Sequence, residues 1–272
     1  LSPGAPFWVG LGPGTVGGRV RSILPLSPTR IVVGSVSGGL WITEDAGASW
    51  APARDLMPNV AISCLVGDPV DASIFYVCTG EGAYPYDAIQ GDGVYRVTGA
   101  NLAADAWTIA QVPGTAPTVA SPQWYWVNRL VVLQNPADPA NTANRVLLAA
   151  TRNGLFRSAD GGASFAKVAS ETDVGYTYGH RYMDLRVHPL DAANVVAGEM
   201  FTSGAGGGVA VSLDRGLTWT RRAIAGSERV EVAPVAGVAG RWLALAGNNG
   251  GQLFRSDDGG LTWIRQDVSG LD

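Results

Sequence analysis

Apolar positions along this chain fall in short runs, some alternating with polar residues and some unbroken, punctuated by clusters of Gly, Pro, Asn and Asp. Arg19-Val20-Arg21-Ser22-Ile23 is followed after a Pro-bearing turn by Ile31-Val32-Val33, and Arg186-Val187-His188-Pro189 is followed by Val195-Val196-Ala197. Such spacing predicts short antiparallel strands joined by tight turns. The chain is therefore expected to be all-β.

A second pattern repeats downstream of each strand pair. Gly39-Leu40-Trp41-Ile42-Thr43-Glu44-Asp45-Ala46-Gly47-Ala48-Ser49-Trp50 recurs around Asp160, Asp214 and Asp258 with one grammar: Ser/Thr, any, Asp, any, Gly, any, Ser/Thr, aromatic. A degenerate copy, Gly93-Val94-Tyr95-Arg96-Val97 through Ala106-Trp107-Thr108, keeps the flanking strands and lacks the Asp-x-Gly turn. Self-similarity at this period marks a repeat architecture, and four strands per repeat is the size of a propeller blade. Five units result, approximately 17–53, 58–110, 124–168, 180–222 and 227–267, within one domain over 1–272, with a spare outer strand at 6–11. The box has a physical reason. An Asp in a tight turn accepts backbone N–H groups a few residues on, Gly supplies the backbone angles, and the hydroxyls close the loop. Asp45, Asp160, Asp214 and Asp258 are accordingly read as structural and not as metal ligands or catalysts.

These boxes resemble those of the Asp-box, or BNR-repeat, superfamily, which includes bacterial sialidases, xyloglucanase-type hydrolases, sortilin-type receptors and photosystem assembly propellers. The resemblance implies a β-propeller of four-stranded antiparallel blades and leaves activity open, since that one fold serves hydrolases, receptors and assembly factors. Seven blades are usual there. Phe7-Trp8-Val9-Gly10 is similar to Thr262-Trp263-Ile264-Arg265, a fourth strand, while the fifth unit already has its own. That spare strand favours a fragment of a seven-bladed ring, with further blades after Asp272, over a closed ring of five. Two departures bear on activity. Where xyloglucanase-type enzymes carry a catalytic Asp before the Gly-Gly of the first blade, this chain has Val36, and the Arg-Ile-Pro segment of sialidases is missing. Neither activity carries over residue by residue.

Composition changes the picture little. Net charge is −4, Lys167 is the only lysine, and no cluster of basic residues could track a phosphate backbone, so nucleic acid is not an expected partner. No apolar stretch reaches the roughly 20 residues of a membrane-spanning helix. The chain reads as secreted or periplasmic, with no cofactor. Cys64 and Cys78 flank the turn signal Asp68-Pro69-Val70-Asp71, so they face each other across an antiparallel pair as either a disulfide or two buried free thiols.

Candidate chemistry sits on the loops before the first strand and after the second strand of each unit, which share one end of a propeller. After the second strands come Val36, Glu81, Arg152, Glu199 and Asn248; before or at the start of the first come Arg19, Trp124, Trp126, Asn128, Arg129, His180, Arg181, Asp184, Glu228 and Arg229. The longest excursion, Glu81 to Asp92, adds Tyr84 and Tyr86. Aromatic faces beside carboxylates and arginines suit sugar rings and hydroxyls. Three functions are therefore carried forward. The first is a glycan- or protein-binding face formed by Arg19, Tyr84, Tyr86, Trp124, Trp126, Arg129, Arg152, His180 and Arg181. The second is a glycoside hydrolase using Glu81 and Glu199 as its carboxylates, whose separation would set inversion or retention. The third is an assembly scaffold.

Overall fold

The computed structural model describes residues 19–53, 57–82, 88–168, 181–200, 207–224, 228–247 and 251–267. Among them the chain is all β apart from three short 3-10 turns. The first unit contains β1 (Val20–Pro25), β2 (Ile31–Ser35), β3 (Gly39–Thr43) and β4 (Ala51–Pro52), and the second contains β5 (Ile62–Gly67), β6 (Ile74–Thr79), β7 (Val94–Thr98) and β8 (Thr108–Gln111). The third holds β9 (Val127–Leu133), β10 (Val146–Thr151), β11 (Gly154–Ser158) and β12 (Ala166–Lys167). The fourth holds β13 (Arg181–His188), β14 (Asp191–Met200), β15 (Gly208–Ser212) and β16 (Thr220–Ala223), and the fifth β17 (Arg229–Pro234), β18 (Trp242–Gly247), β19 (Gln252–Ser256) and β20 (Ile264–Arg265). Each is an antiparallel meander in chain order, and a single Met200–Arg229 pairing joins the last two into one eight-stranded sheet. The spare strand expected at 6–11 lies outside the described residues.

The core is divided into four clusters, one between each unit and the next. The second strands show why. In β6, Phe75 and Val77 pack toward the first unit, while Ile74, Tyr76 and Cys78 pack toward the third. In β10, Leu147 and Ala149 face back and Val146, Leu148 and Ala150 face forward. A strand apolar on both faces needs a sheet on each side, which explains its unbroken run of buried positions. Among the described residues, no strand of the fifth unit packs at length along a strand of the first.

Polar clamps fix the spacing of the units. Arg145 of the third unit reaches Asp68 of the second with Nε–Oδ2 at 2.7 Å and Nη2–Oδ1 at 2.9 Å, and neither side chain is exposed. Its remaining guanidinium nitrogen donates to the Pro139 and Asn141 carbonyls, while Asp68 accepts the N–H groups of Val70 and Asp71. Between the fourth and fifth units, Asn194 donates to Gly259 O at 2.8 Å and accepts the Trp242 indole N–H at 2.7 Å. His188 ends β13 with its ring buried against Trp242.

All four Asp turns share one bonding pattern. Asp45 Oδ1 accepts the Ser49 N–H at 2.8 Å and the Thr43 hydroxyl at 2.7 Å, Oδ2 takes the Ser49 hydroxyl at 2.6 Å, and Gly47 N–H returns to Thr43 Oγ1 at 2.8 Å. Asp160, Asp214 and Asp258 repeat this with Ser158 and Ser164, Ser212 and Thr218, and Ser256 and Thr262. The residue after each Asp also donates its N–H to the turn between the unit's first two strands, as Ala46 does to Thr29 O and Arg215 to Ala193 O. That bond ties the two turns together at one end of the sheet. Two successive left-handed residues are required, and Ala46 and Arg215 hold φ of 58° without being glycine.

Two outcomes follow for urea unfolding. Arg145→Met should destabilise by about 3–5 kcal/mol, because it strands a buried carboxylate, whereas Ala46→Gly should stabilise by about 1 kcal/mol through relief of left-handed strain. Acid should act through the Asp turns. Hydrogen bonds from Ser49 and Thr43 hold Asp45 at about 2, and those from Ser164 and Ser158 hold Asp160 at about 2. An unfolded Asp titrates at about 3.9, so their contribution is complete above about pH 4 and is lost as pH falls toward 2. A thermal midpoint followed from pH 7 to pH 2 should drop in that window, and the Asp45→Asn/Asp160→Asn double variant should start lower at pH 7 and drop less.

Candidate functional site

The end opposite the Asp turns is built from the chain leaving each second strand and entering each first strand. Four of the five first strands carry a register irregularity at the same place, leaving Arg21, Ser63, Asn128 and Met183 out of the ladder. Bulges of this kind re-aim side chains. Ser63 uses its hydroxyl to reach the Val127 carbonyl of the next unit, and Asn128 donates to Tyr182 O of the unit after it at 2.8 Å. Arg21 departs from this pattern. Its Nε is buried without a hydrogen-bond partner, and burial followed by the neighbouring Arg129 and Arg229 guanidinium groups lowers its pKa.

Around Arg21 the charges are otherwise paired. Arg19 bonds Glu81, Arg129 reaches Asp184 at 3.2 Å, Arg186 shares the same carboxylate at 3.1 Å, and Arg229 bonds Glu231. Asp184 also accepts the Val232 N–H at 3.0 Å, so one buried carboxylate links the third, fourth and fifth units. Among the described residues no group of three or more His, Cys, Asp and Glu side chains could hold a metal ion.

Polar and aromatic residues lie close together between Glu81, itself buried, and Arg152. Gly80, at φ 94°, lies so close to the Tyr125 carbonyl that a Cβ would meet it at 2.1 Å, and Gly82 lies equally tight against the Asn128 amide. Gly91 and Gly93 donate to the Tyr125 and Trp124 carbonyls at 2.8 and 3.0 Å, which seats the Pro122–Tyr125 3-10 turn on the second unit. Tyr125 and Trp126 stack edge to face, both half-buried, and the Arg152 guanidinium lies 4.7 Å from the Trp126 ring centre. The Trp126 indole N–H and the Asn128 amide oxygen are both buried without a partner.

The sequence-derived candidates divide accordingly. Arg19, Glu81, Trp126 and Arg152 belong to this cluster, and Arg129 lies beneath it against Asp184. Trp124 must be reassigned: it is 2% exposed and packs on Phe156 and Phe165, because its turn points it into the core between the second and third units. Glu199 is also corrected. It lies within β14, not on a loop, and is fully buried with both carboxylate oxygens 3.0 Å from Arg221 Nε. Glu81 and Glu199 thus occupy different units and hold different arginines. Val36 is buried with its N–H on the Arg19 carbonyl. Tyr84, Tyr86, His180 and Asn248 lie outside the described residues, as does the Arg181 side chain. Arg21 was not selected as a site residue from sequence. The bulge that takes Arg21 out of the ladder leaves no mark in the apolar pattern.

No protein-family profile matches the chain, and no curated protein aligns with it. Solved structures do. The chain superposes on an ancestral GH74 enzyme with a TM-score of 0.60 at 16% identity, over 92% of this chain and 33% of that one. It superposes on the GH74 xyloglucanase of Xanthomonas campestris with a TM-score of 0.52 at 17% identity, over 93% and 46%. YCF48 bound to D1 peptide gives a TM-score of 0.55 at 14% identity, over 96% and 68%. The chain therefore spans less than half the length of these GH74 chains and about two thirds of the YCF48 chain. At such identities the likeness concerns the fold alone, and with the successively packed four-stranded antiparallel units it makes this chain a β-propeller.

Proposed function

We propose that this chain is an Asp-box propeller whose end opposite the Asp turns binds a glycan or protein ligand. The observation that carries the reading is the half-buried Tyr125–Trp126 pair stacked with Arg152, bordered by an indole N–H and an amide oxygen that have no partner within the protein. Buried polar groups are nearly always satisfied, so these two atoms, closed off from solvent here, mark where a water or a ligand group seated against the rings would supply the missing partners. The Arg19–Glu81 pair and the unpaired Arg21 nearby supply further polar contacts. That a protein of this fold, YCF48, is seen bound to a peptide supports the class of partner.

The reading extends to a longer ring. Ile23 of the first unit and Leu245 and Ile264 of the fifth are exposed, and the chain covers only part of each YCF48 and GH74 chain it resembles. Further blades following Asp272 would cover such positions. An exported location belongs to the same proposal.

Glycoside hydrolysis is the second reading, favoured by the GH74 likeness. Against it, the carboxylate face that a sugar would need is occupied by Arg221 at Glu199 and by Arg19 at Glu81. A glycan array and a peptide array, run beside chromogenic glycosides and xyloglucan, separate the readings. Binding without turnover is expected, weakened about tenfold or more by Trp126→Ala and by Arg152→Ala, with the unfolding midpoint nearly unchanged. Turnover lost in Glu81→Gln would establish the enzyme instead, and silence on every array would leave an assembly scaffold.

A further inference from the structure

A separate chemistry lies in the inner hairpin of the second unit. Cys64 of β5 and Cys78 of β6 are direct register partners, both free and both buried. Opposed residues of an antiparallel pair hold their Cα atoms about 4.5–5.5 Å apart, and a disulfide spans about 4.4–6.8 Å. The backbone is therefore already spaced for a bridge. Both side chains point to the same side of the sheet, into the cluster shared with the third unit. The irregularity between Ile62 and Cys64 takes Ser63 out of the ladder and leaves Cys64 facing Cys78 squarely.

The surroundings make the two thiols unequal. A hydrogen bond from the Cys78 thiol lowers the Cys64 pKa against the effect of burial, and the Arg129 and Arg186 guanidinium groups add to the lowering. Burial first, and then the neighbouring Cys64, push the Cys78 thiol up. The hairpin thus presents a thiol on β5 that ionises more readily, beside cations, and a thiol on β6 that holds its proton and hydrogen-bonds to it.

We propose that Cys64 and Cys78 are a redox pair, with Cys64 as the attacking thiolate, Cys78 as the resolving thiol and a low-molecular-weight disulfide as the oxidant. The Cys64 sulfur attacks one sulfur of the small disulfide, a mixed disulfide forms, and the departing thiolate takes a proton from solvent. Cys78 Sγ then attacks the Cys64 sulfur, the intramolecular bond forms, and the second small thiolate leaves with the Cys78 proton. The protein loses two protons and two electrons, and the small disulfide becomes two thiols. The bridge closes the hairpin across the Asp68–Asp71 turn, which restricts the unfolded chain.

The test incubates the reduced chain with oxidised glutathione, both folded and during refolding from urea, then quenches with acid, unfolds, alkylates with iodoacetamide and weighs it intact. Two alkyl groups are expected before oxidation. None is expected after it, with the mass lower by two hydrogens, no glutathione retained, and an unfolding midpoint higher by roughly 5–10 °C. Cys78→Ser should trap one glutathione at Cys64, and Cys64→Ser should trap none. Wild-type chain that keeps both thiols alkylatable even after refolding in the oxidant would overturn the proposal, as would a glutathione found on Cys78.

Discussion

Every unit of this molecule is a sheet with two apolar faces, and a sheet of that kind has no stable existence alone. The second strand of each interior unit places alternate side chains into two different clusters, so burying one face while exposing the other would forfeit half the hydrophobic contribution. Packing of each unit on the next follows from that constraint. Clamps such as Asp68–Arg145 and Asn194–Trp242 then set the angle between neighbours at positions where water is excluded.

The same constraint separates structure from function along each strand. One end is consumed by the Asp turns, which tie the third and fourth strands back to the first two by hydrogen bonds that leave little free chemistry. Arginines, carboxylates and aromatic rings collect at the other end, where Arg21 Nε, the Trp126 indole N–H and the Asn128 amide oxygen are buried without partners beside the first-strand bulges.

What could be read in advance depended on how local the cause was. The Asp turns were legible because carboxylate, glycine and hydroxyl act within a few residues of one another, and the strand pairs because their apolar runs are bounded by turn residues. The second unit's missing Asp turn was legible too, and a short 3-10 turn, Ala104–Ala106, takes its place before the buried Trp107. Long-range causes were silent. Asp68 looked like an ordinary turn residue, and its buried partner Arg145 lies in the next unit. Glu199 aligned with a loop position, yet β14 extends through it to pair Met200 with Arg229. Trp124 and Trp126 differ by two positions in sequence, and one is core while the other is half-buried, because Trp124 lies within a 3-10 turn and Trp126 just past its end.

Native-state hydrogen exchange tests two-sided burial most directly. The account predicts that amides of β6, β10 and β14 exchange only on global unfolding, and that those of β18, whose outer face carries the exposed Leu245, exchange earlier. Protection of β18 equal to that of β10 would contradict it, since the fifth unit would then have to be covered on both faces within this chain.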